Sequence, residues 1–300
     1  YERSSIDDST YTFIADDMAI DDSLGLGEFR GNVVYKSKDT LGFDLLANNI
    51  KTDKKKSALL ATELPLLLIK QTKDTLYVSA DTLYSGKVSD LKRPFPNARD
   101  SVGKMTDSTL DKYFEAFHHV QVYSDSLQAK CDSLFYALSD STIRLISSPI
   151  VWANNNQITG DTIYMYVQNK KPEQLNVFNN ALAINKIDTT EYYNQIKGSR
   201  LNAWFTDGEL IKMRCKGNAE NIYFAMDNDK NFVGINHSNA QIIEITFENS
   251  EPAKVIFRNQ LKGTLTPIQK TNKTDLKLNG FKWLEDLRPK SKFDILSPKL

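Results

Sequence analysis

Residues 211–216 read Ile-Lys-Met-Arg-Cys-Lys, a stretch that alternates three apolar side chains with three cations. Successive side chains of a β-strand point to opposite faces, so this alternation predicts a strand with one face in a core and the other in water. The pattern recurs at 143–145 (Ile-Arg-Leu), 243–247 (Ile-Glu-Ile-Thr-Phe) and 254–258 (Lys-Val-Ile-Phe-Arg). The sequence therefore predicts a mainly β protein.

Turn-forming residues separate the alternating segments. They lie at 48–49, 54–56, 154–156, 179–180 and 227–229, where Asn, Lys and Asp cluster. Long stretches with a 3.6-residue period are scarce, and only at 107–117 do a helix and a strand compete closely. Many short strands with closely spaced turns are typical of a sandwich, a barrel or a solenoid.

Composition excludes several classes of function. The 300 residues include 38 basic and 38 acidic side chains, and a zero net charge argues against nucleic acid as the main partner. The longest apolar stretches, such as residues 64–69, are far too short to cross a bilayer.

The chain begins at Tyr1, from which we expect a mature or trimmed piece whose targeting segment has been removed. Cys131 and Cys215 are not closely spaced, so buried free thiols are favoured over a disulfide or a zinc site.

A short repeat runs through the chain: Asp is followed by Ser or Thr twelve times, where 26 Asp and 44 Ser plus Thr predict roughly four by chance. In seven copies the third residue is Leu or Ile. We interpret the repeat as a turn, in which the carboxylate caps the backbone two residues on and a strand follows. The twelve aspartates are Asp8, Asp22, Asp39, Asp74, Asp81, Asp100, Asp107, Asp125, Asp132, Asp140, Asp161 and Asp188.

Strand alternation continues from about Tyr11 to Ile268 without a flexible linker. This predicts one elongated roll over residues 1–268, in which each strand-and-turn unit contacts only its neighbours. Residues 269–300 differ, because a polar segment is followed by Phe281-Lys282-Trp283-Leu284 and Arg288-Pro289. Two aromatic residues in a polar tail predict that the tail docks on the end of the sheet and covers its last edge.

Residues 120–166 resemble the OstA-like (LptA-like) family of lipopolysaccharide-transport proteins. The matching residues are Asp125, Ser126, Leu127, Ala129, Asp132, Ser133, Leu134, Tyr136, Ile158, Thr159, Gly160, Asp161 and Ile163. Looser similarity begins at Gly31-Asn32-Val33 and continues through 80–84, 193–198, 216–223, 280–283 and 288–289. Single motifs are weak, but their order along roughly residues 12–290 is fairly specific to the C-terminal part of long OstA-like proteins.

The resemblance implies an all-β fold, an elongated open β-jellyroll (β-taco) of stacked antiparallel strands with a solenoid-like organisation. It also implies a location in the periplasm, in possible association with the outer membrane. The expected partners are lipopolysaccharide, through the acyl chains of its lipid A, and other OstA-like or Lpt-type sheets that pair with its edge strands. The family's compact bridge protein is about half as long, so the chain fits either a bridge or an outer-membrane assembly subunit.

The apolar members of the alternating pairs are the candidate lining of the groove that shields acyl chains. They are Ile143, Leu145, Ile150, Trp152, Ile163, Met165, Phe205, Ile211, Met213, Phe224, Ile245 and Phe257. Because side chains alternate with a period of two, a register error of one residue would move a whole strand's set to the other face.

No catalytic, metal or cofactor site is expected. His118 and His119 are adjacent, and on a strand they would point to opposite faces, so they could not chelate one ion. The chain has only three His, and it contains neither a Gly-x-Ser-x-Gly elbow nor a Gly-rich phosphate loop. An enzyme is therefore not expected.

Three alternatives stay open at this stage. The first is a structural or adhesive β-solenoid of the cell envelope with a dry core, and the second is a polysaccharide lyase on a β-helix, for which no clustered catalytic residues are seen. The third concerns the Asp-Ser/Thr triplets, which could carry O-glycans, although turns explain twelve copies better. Lys54–Lys56 and the Lys212, Arg214 and Lys216 face could bind lipid phosphates, but a solvated turn and a wet strand face are favoured.

Overall fold

The computed structural model describes residues 3–38, 43–70, 75–91, 111–168, 171–187, 190–227, 229, 231–249, 251–270 and 276–296. Five of the repeat's aspartates, Asp39, Asp74, Asp100, Asp107 and Asp188, lie outside the described residues, as do residues 107–110 of the ambiguous segment. Within the segment 107–117, where a helix and a strand competed in the sequence, residues 113–117 form a strand.

The described residues form 21 strands and no α-helix. The strands are β1 Ser4–Asp7, β2 Tyr11–Ala15, β3 Asp17–Asp21, β4 Leu26–Ser37, β5 Phe43–Asp53, β6 Ala58–Thr62, β7 Leu66–Lys70, β8 Thr75–Ser79, β9 Thr82–Gly86, β10 Tyr113–Tyr123, β11 Gln128–Ala137, β12 Thr142–Ile146, β13 Ile150–Ala153, β14 Asn156–Thr159, β15 Thr162–Gln168, β16 Lys171–Lys186, β17 Tyr193–Thr206, β18 Glu209–Met226, β19 Phe232–Glu248, β20 Glu251–Arg258 and β21 Lys262–Thr266. Short 3₁₀ turns lie at Val88–Asp90, Ile268–Lys270 and Glu285–Leu287.

The chain divides into two compact units. The first unit comprises Tyr1–Ile146 with Pro289–Leu300, and the second comprises Ser147–Arg288. Within each unit neighbouring strands pair antiparallel, so the all-β class of stacked antiparallel strands is confirmed. The division into a roll over 1–268 and a tail over 269–300 stays a prediction.

In the first unit, long bent strands contribute to two half-sheets. Cross-strand partners in one half form a row that is buried except at half-buried Met18: Met18, Phe29, Ile50, Ala61, Leu83, Ala116, Leu134 and Leu145. Partners in the other half form the row Ile6, Phe13, Tyr35, Leu45, Leu67, Val78, Val122 and Ala129. The rings of Phe13 and Phe29 stack at 4.2 Å, so the two apolar faces pack against each other and form the core of this unit.

Four of the long strands bend at a corner of two consecutive residues with positive φ. In the first unit these pairs are Gly31-Asn32 and His118-His119, and in the second they are Asn179-Asn180 and Gly217-Asn218. Strand register shifts at each corner, because the two residues are left out of the ladder. Gly and Asn tolerate this left-handed conformation better than other residues, which explains why they are used at most corners.

Aspartates of the repeat hold these corners, which changes our interpretation of the motif. The carboxylate of Asp161 accepts hydrogen bonds from Asn180 Nδ2 at 3.0 and 3.2 Å, and Asp81 Oδ2 lies 2.7 Å from His119 Nδ1. Asp132 Oδ1 lies 3.1 Å from His118 Nδ1. The expected local cap, to the backbone N–H two residues on, occurs at Asp8 and Asp140.

Two thiols and one arginine are buried in the described part of the chain. Cys131 and Cys215, one in each unit, are buried free thiols as expected, and burial raises the pKa of each thiol to about 12. Arg144 was expected on a wet face between Ile143 and Leu145, and this prediction is wrong. Its side chain is fully buried, pairs with Asp140 and lies over the ring of Phe135. A charge at this depth requires such a partner.

Candidate functional site

Two cross-strand rows form the apolar face of the second unit. The first row is Ile163, Val177, Leu201, Cys215, Ile243 and Phe257, and the second is Met165, Leu175, Ala203, Met213, Ile245 and Val255. Directly opposed residues of an antiparallel pair lie on the same face, so each row is continuous over six strands. The alternation of the sequence generates this face because β15 to β20 pair in register over these residues.

Seven of the candidate groove residues lie on this apolar face. Register places there Ile163, Met165, Met213, Ile245 and Phe257. Alternation along β17 and β18 continues the face to Phe205 and Ile211, where the register between the two strands shifts. Ile163 is completely buried, and Met165 and Met213 are 8% exposed. Ile211 is 43% exposed at the end of its strand. In the first unit, Leu145 lies in the buried row of eight residues and Ile143 is half-buried on the same face.

The remaining three candidates lie on a different face. Trp152 pairs across the strands with Gln157, and the row continues through Ile184, Gln195 and Ile222. Phe224 lies two residues beyond Ile222 on the same face and packs against Leu278. Ile150 is two residues before Trp152, so it shares this face as well. We call it the tail face, because the C-terminal tail covers it and separates these three residues from the apolar rows.

Two buried glutamines bind the backbone of the tail. Gln157 donates a hydrogen bond to the carbonyl of Lys282 at 2.7 Å and accepts one from the N–H of Leu284 at 2.7 Å. Gln195 does the same to Leu276 and Leu278, at 2.7 and 2.8 Å. Each side chain therefore pairs with residues i and i+2 of the tail as a neighbouring strand would. The tail lies on a sheet face, whereas the sequence predicted that it docks on the sheet end.

Aromatic side chains fill the contact between the tail and this face. The ring of Tyr193 lies 5.1 Å from that of Phe281 and 5.5 Å from that of Trp283. A cleft of about 610 Å³ remains beside them, lined by these rings and by Tyr192 and Phe224. Sequence reasoning identified the two tail aromatics but not the glutamines, since a Gln in a strand looks like any solvent-facing residue.

Exposure of the apolar rows rises toward β20. In the first row Leu201, Cys215 and Ile243 are fully buried, whereas Phe257 of β20 is half-buried. In the second row Ala203 is fully buried, whereas Val255 of β20 is 43% exposed. The face is thus closed in the middle of the unit and open to the surroundings at its last strands.

Other candidate chemistry has a structural explanation. His118 and His119 lie at a corner rather than within regular strand, and each imidazole contacts a different aspartate. Contact with His118, reinforced by Ser133, lowers the pKa of Asp132. In the part of the chain that the structure describes, no three His, Cys, Asp or Glu side chains are grouped as metal ligands would be. No helix among those residues is long and apolar enough to span a bilayer.

No family model and no curated protein matches the sequence. Among solved structures, the chain is similar to LptH from Pseudomonas aeruginosa, the LptA-homologous periplasmic component of the lipopolysaccharide transport device. The identity is 16% and the TM-score is 0.23, over 56% of this chain and 81% of that chain.

Proposed function

We propose that this chain is a periplasmic lipopolysaccharide-binding protein that takes part in transport to the outer membrane. The order of OstA-like motifs along the sequence supports the proposal, and the observation that carries it is the apolar face of the second unit. Two uninterrupted rows of apolar side chains cross six strands and become exposed at β20. Burying acyl chains there is favourable by about 25 cal/mol per Å² of apolar surface.

Acyl chains enter this site at its exposed end. Val255 and Ile211 are each 43% exposed, whereas the residues behind them are buried. A lipid therefore contacts these two side chains first, and deeper binding requires the rows to separate. Passive binding of this kind needs no cofactor and no catalytic residue.

In this proposal, partner proteins bind at the edge strands. Among the described residues, β20 and β21 both pair with β19 and with no other strand, so their outer edges carry free backbone donors and acceptors. Such an edge invites strand addition by another OstA-like or Lpt-type sheet.

Site-specific photo-crosslinking tests the lipid site. A photoreactive amino acid at Val255 or Met213 captures lipopolysaccharide in this account, because both positions lie on the apolar face. With lipopolysaccharide dispersed in detergent, so that no bilayer is present, the same amino acid at Lys212 or Arg214 gives no adduct, because these residues are adjacent in sequence but lie on the face opposite the apolar rows. Equal capture from both faces would contradict the proposal.

A dry-core solenoid of the cell envelope is the second candidate. It is favoured by the complete burial of Leu201, Cys215 and Ile243, whose side chains are not accessible from the surroundings. Val255→Asp separates the two functions when the photoreactive amino acid is at Met213. A carboxylate at the entrance abolishes the lipid adduct at Met213 only if lipid enters there. Ile256→Asp, the neighbouring position on the other face, is the matched control and keeps the adducts.

A further inference from the structure

The face of β17–β20 opposite the apolar rows carries a concentration of cations. Its residues form three cross-strand rows: Arg200, Lys216, Ile242 and Arg258; Asn202, Arg214, Glu244 and Ile256; and Trp204, Lys212, Thr246 and Lys254. We call this the cationic face. Within these three rows six basic side chains stand against one carboxylate, whereas the whole chain has 38 of each charge. Glu209, Glu248 and Glu251 follow beyond the rows, at the ends of the strands. The charge is therefore segregated onto one surface of the second unit.

Glu244 organises the centre of the cationic face. Its side chain is only 8% exposed and lies 3.1 Å from Arg214 Nε, 3.1 Å from Arg258 Nε and 3.5 Å from Lys212 Nζ. Burial by itself raises the pKa of this carboxyl, but the hydrogen bond from Arg258 and the ion pair with Arg214 outweigh it and hold the pKa below its ordinary value. One carboxylate thus fixes three cations while neutralising only one of them.

Three further cations are left for an external partner. Arg200, Lys216 and Lys254 are exposed, and they form no ion pair with any residue that the structure describes. They lie at the margins of the face, around the trio that Glu244 holds. Their charge is therefore not compensated within the described part of the protein.

Aromatic rings are interleaved with the cations. Lys212 and Arg214 both lie 5.7 Å from the ring of Trp204, and Arg200 lies 5.3 Å from the ring of Phe178. Trp204 is half-buried, so part of its ring also faces the surroundings. Tryptophan beside Lys and Arg is a combination favoured at the boundary between lipid headgroups and water.

We propose that the cationic face docks the protein on an anionic lipid bilayer. The cations do not converge on one point as donors for a small phosphate would; they are spread over four strands, about 4.8 Å apart from strand to strand. An extended surface of phosphate groups complements this spread charge, and Trp204 adds contact at the headgroup level. Each basic residue near an anionic membrane contributes about 1 kcal/mol, which is about fivefold in partitioning.

Vesicle sedimentation tests the proposal with the full chain. The protein binds vesicles that contain phosphatidylglycerol and not vesicles of phosphatidylcholine alone, and raised salt weakens the binding. The triple variant R200Q/K216Q/K254Q binds about 100-fold more weakly, because it loses three uncompensated charges. These substitutions leave the Glu244 ion pairs intact, and circular dichroism checks that the fold is retained.

A matched control removes the same charge elsewhere. K54Q/K55Q/K56Q alters an exposed turn of the first unit and keeps wild-type binding. The proposal is overturned if the wild type fails to bind anionic vesicles or if both triple variants lose binding equally. Binding of dextran sulfate without any binding to vesicles also overturns it, and assigns the face to a soluble polyanion instead.

This inference does not depend on the proposed lipid-transport function. The apolar face and the cationic face are opposite sides of the same strands. Loss of vesicle binding in R200Q/K216Q/K254Q leaves crosslinking at Met213 unchanged, whereas Val255→Asp abolishes crosslinking at Met213 and leaves vesicle binding unchanged. Failure of one experiment is therefore distinguishable from failure of the other.

Discussion

At the scale of single residues, the bends of the strands depend on side chains that tolerate a positive φ. Asn180 has a φ of +47° and donates both of its hydrogen bonds to Asp161. We expect Asn180→Ala to lower the free energy of unfolding by about 1–2 kcal/mol, since alanine is strained in the left-handed region. Urea unfolding of the variant measures this change.

Asn180→Gly separates backbone strain from the lost side-chain contact. Glycine adopts the left-handed region without a steric penalty, so it should destabilise less than alanine does. Equal destabilisation by both would assign the effect to the hydrogen bonds with Asp161 instead. Asn239→Ala, at an exposed strand position whose φ is not positive, is the control and should cost little.

Glu244 gives the second unit a defined acid sensitivity. Its pKa is lowered by folding from an ordinary value of 4.5, so its contribution to stability is present above that value and is lost as the pH falls through the lower, folded-state pKa. The melting temperature of the wild type should therefore fall more steeply than that of Glu244→Gln between about pH 6 and about pH 3. Parallel curves for the two proteins would show that the carboxylate is not coupled to folding.

The face on which single residues lie was only partly predictable from the sequence. Alternation placed Ile163, Met213 and Ile245 on one face, because nothing interrupts the strand between neighbouring positions. Trp152 and Phe224 follow the same alternation locally but lie on the tail face. A two-residue corner between the halves of a bent strand changes which side chains lie on which face of the sheet. The period-two pattern of the sequence does not reveal this change.

At the scale of elements, the tail is held by two side-chain amides that hydrogen-bond to its backbone as a neighbouring strand would. Replacing Gln157 and Gln195 with Leu removes four hydrogen bonds, each worth about 1 kcal/mol net, and leaves the tail's backbone groups unpaired. We expect amide exchange at Leu278 and Leu284 to become at least tenfold faster. Hydrogen exchange resolved at these amides measures the effect.

Gln174→Leu is the control for that variant. Gln174 lies in the same strand, β16, as the tail-face residue Ile184, but it hydrogen-bonds to Asn176 and does not contact the tail. Unchanged exchange at Leu278 in the double variant would show that the aromatic contacts alone hold the tail. The tail partners of Gln157 and Gln195 lie more than 80 residues away in sequence, which is why no local pattern could identify them.

The strands were more predictable from the sequence than the corners and turns that connect them. The 254–258 alternation corresponds to most of β20, and 211–216 lies within β18. His118 and His119, by contrast, were placed on a regular strand and instead form a corner with φ of +59° and +51°. A corner replaces the expected turn at 179–180, because the long strand bends there and continues rather than reversing direction. The expected turn at 48–49 lies inside β5, whereas 54–56 and 154–155 are turns as predicted.

At the scale of the whole molecule, each unit separates an apolar face from polar surfaces. In the first unit two apolar rows pack against each other, and the rings of Phe13 and Phe29 join them. In the second unit the apolar face becomes exposed at β20, and the opposite face carries six cations. The apolar rows of the second unit are therefore the proposed lipid site, and their exposed end is the proposed entrance.

Mass spectrometry of lipids that copurify with the gently extracted protein tests this central claim most directly. The account predicts that the wild type carries acyl chains of lipopolysaccharide and that Val255→Asp, folded as judged by circular dichroism, carries none. Ile256→Asp should retain the lipid, because its side chain lies on the opposite face of the same strand. Wild-type protein that is folded and free of lipid would contradict the account and would establish the apolar face as a dry core.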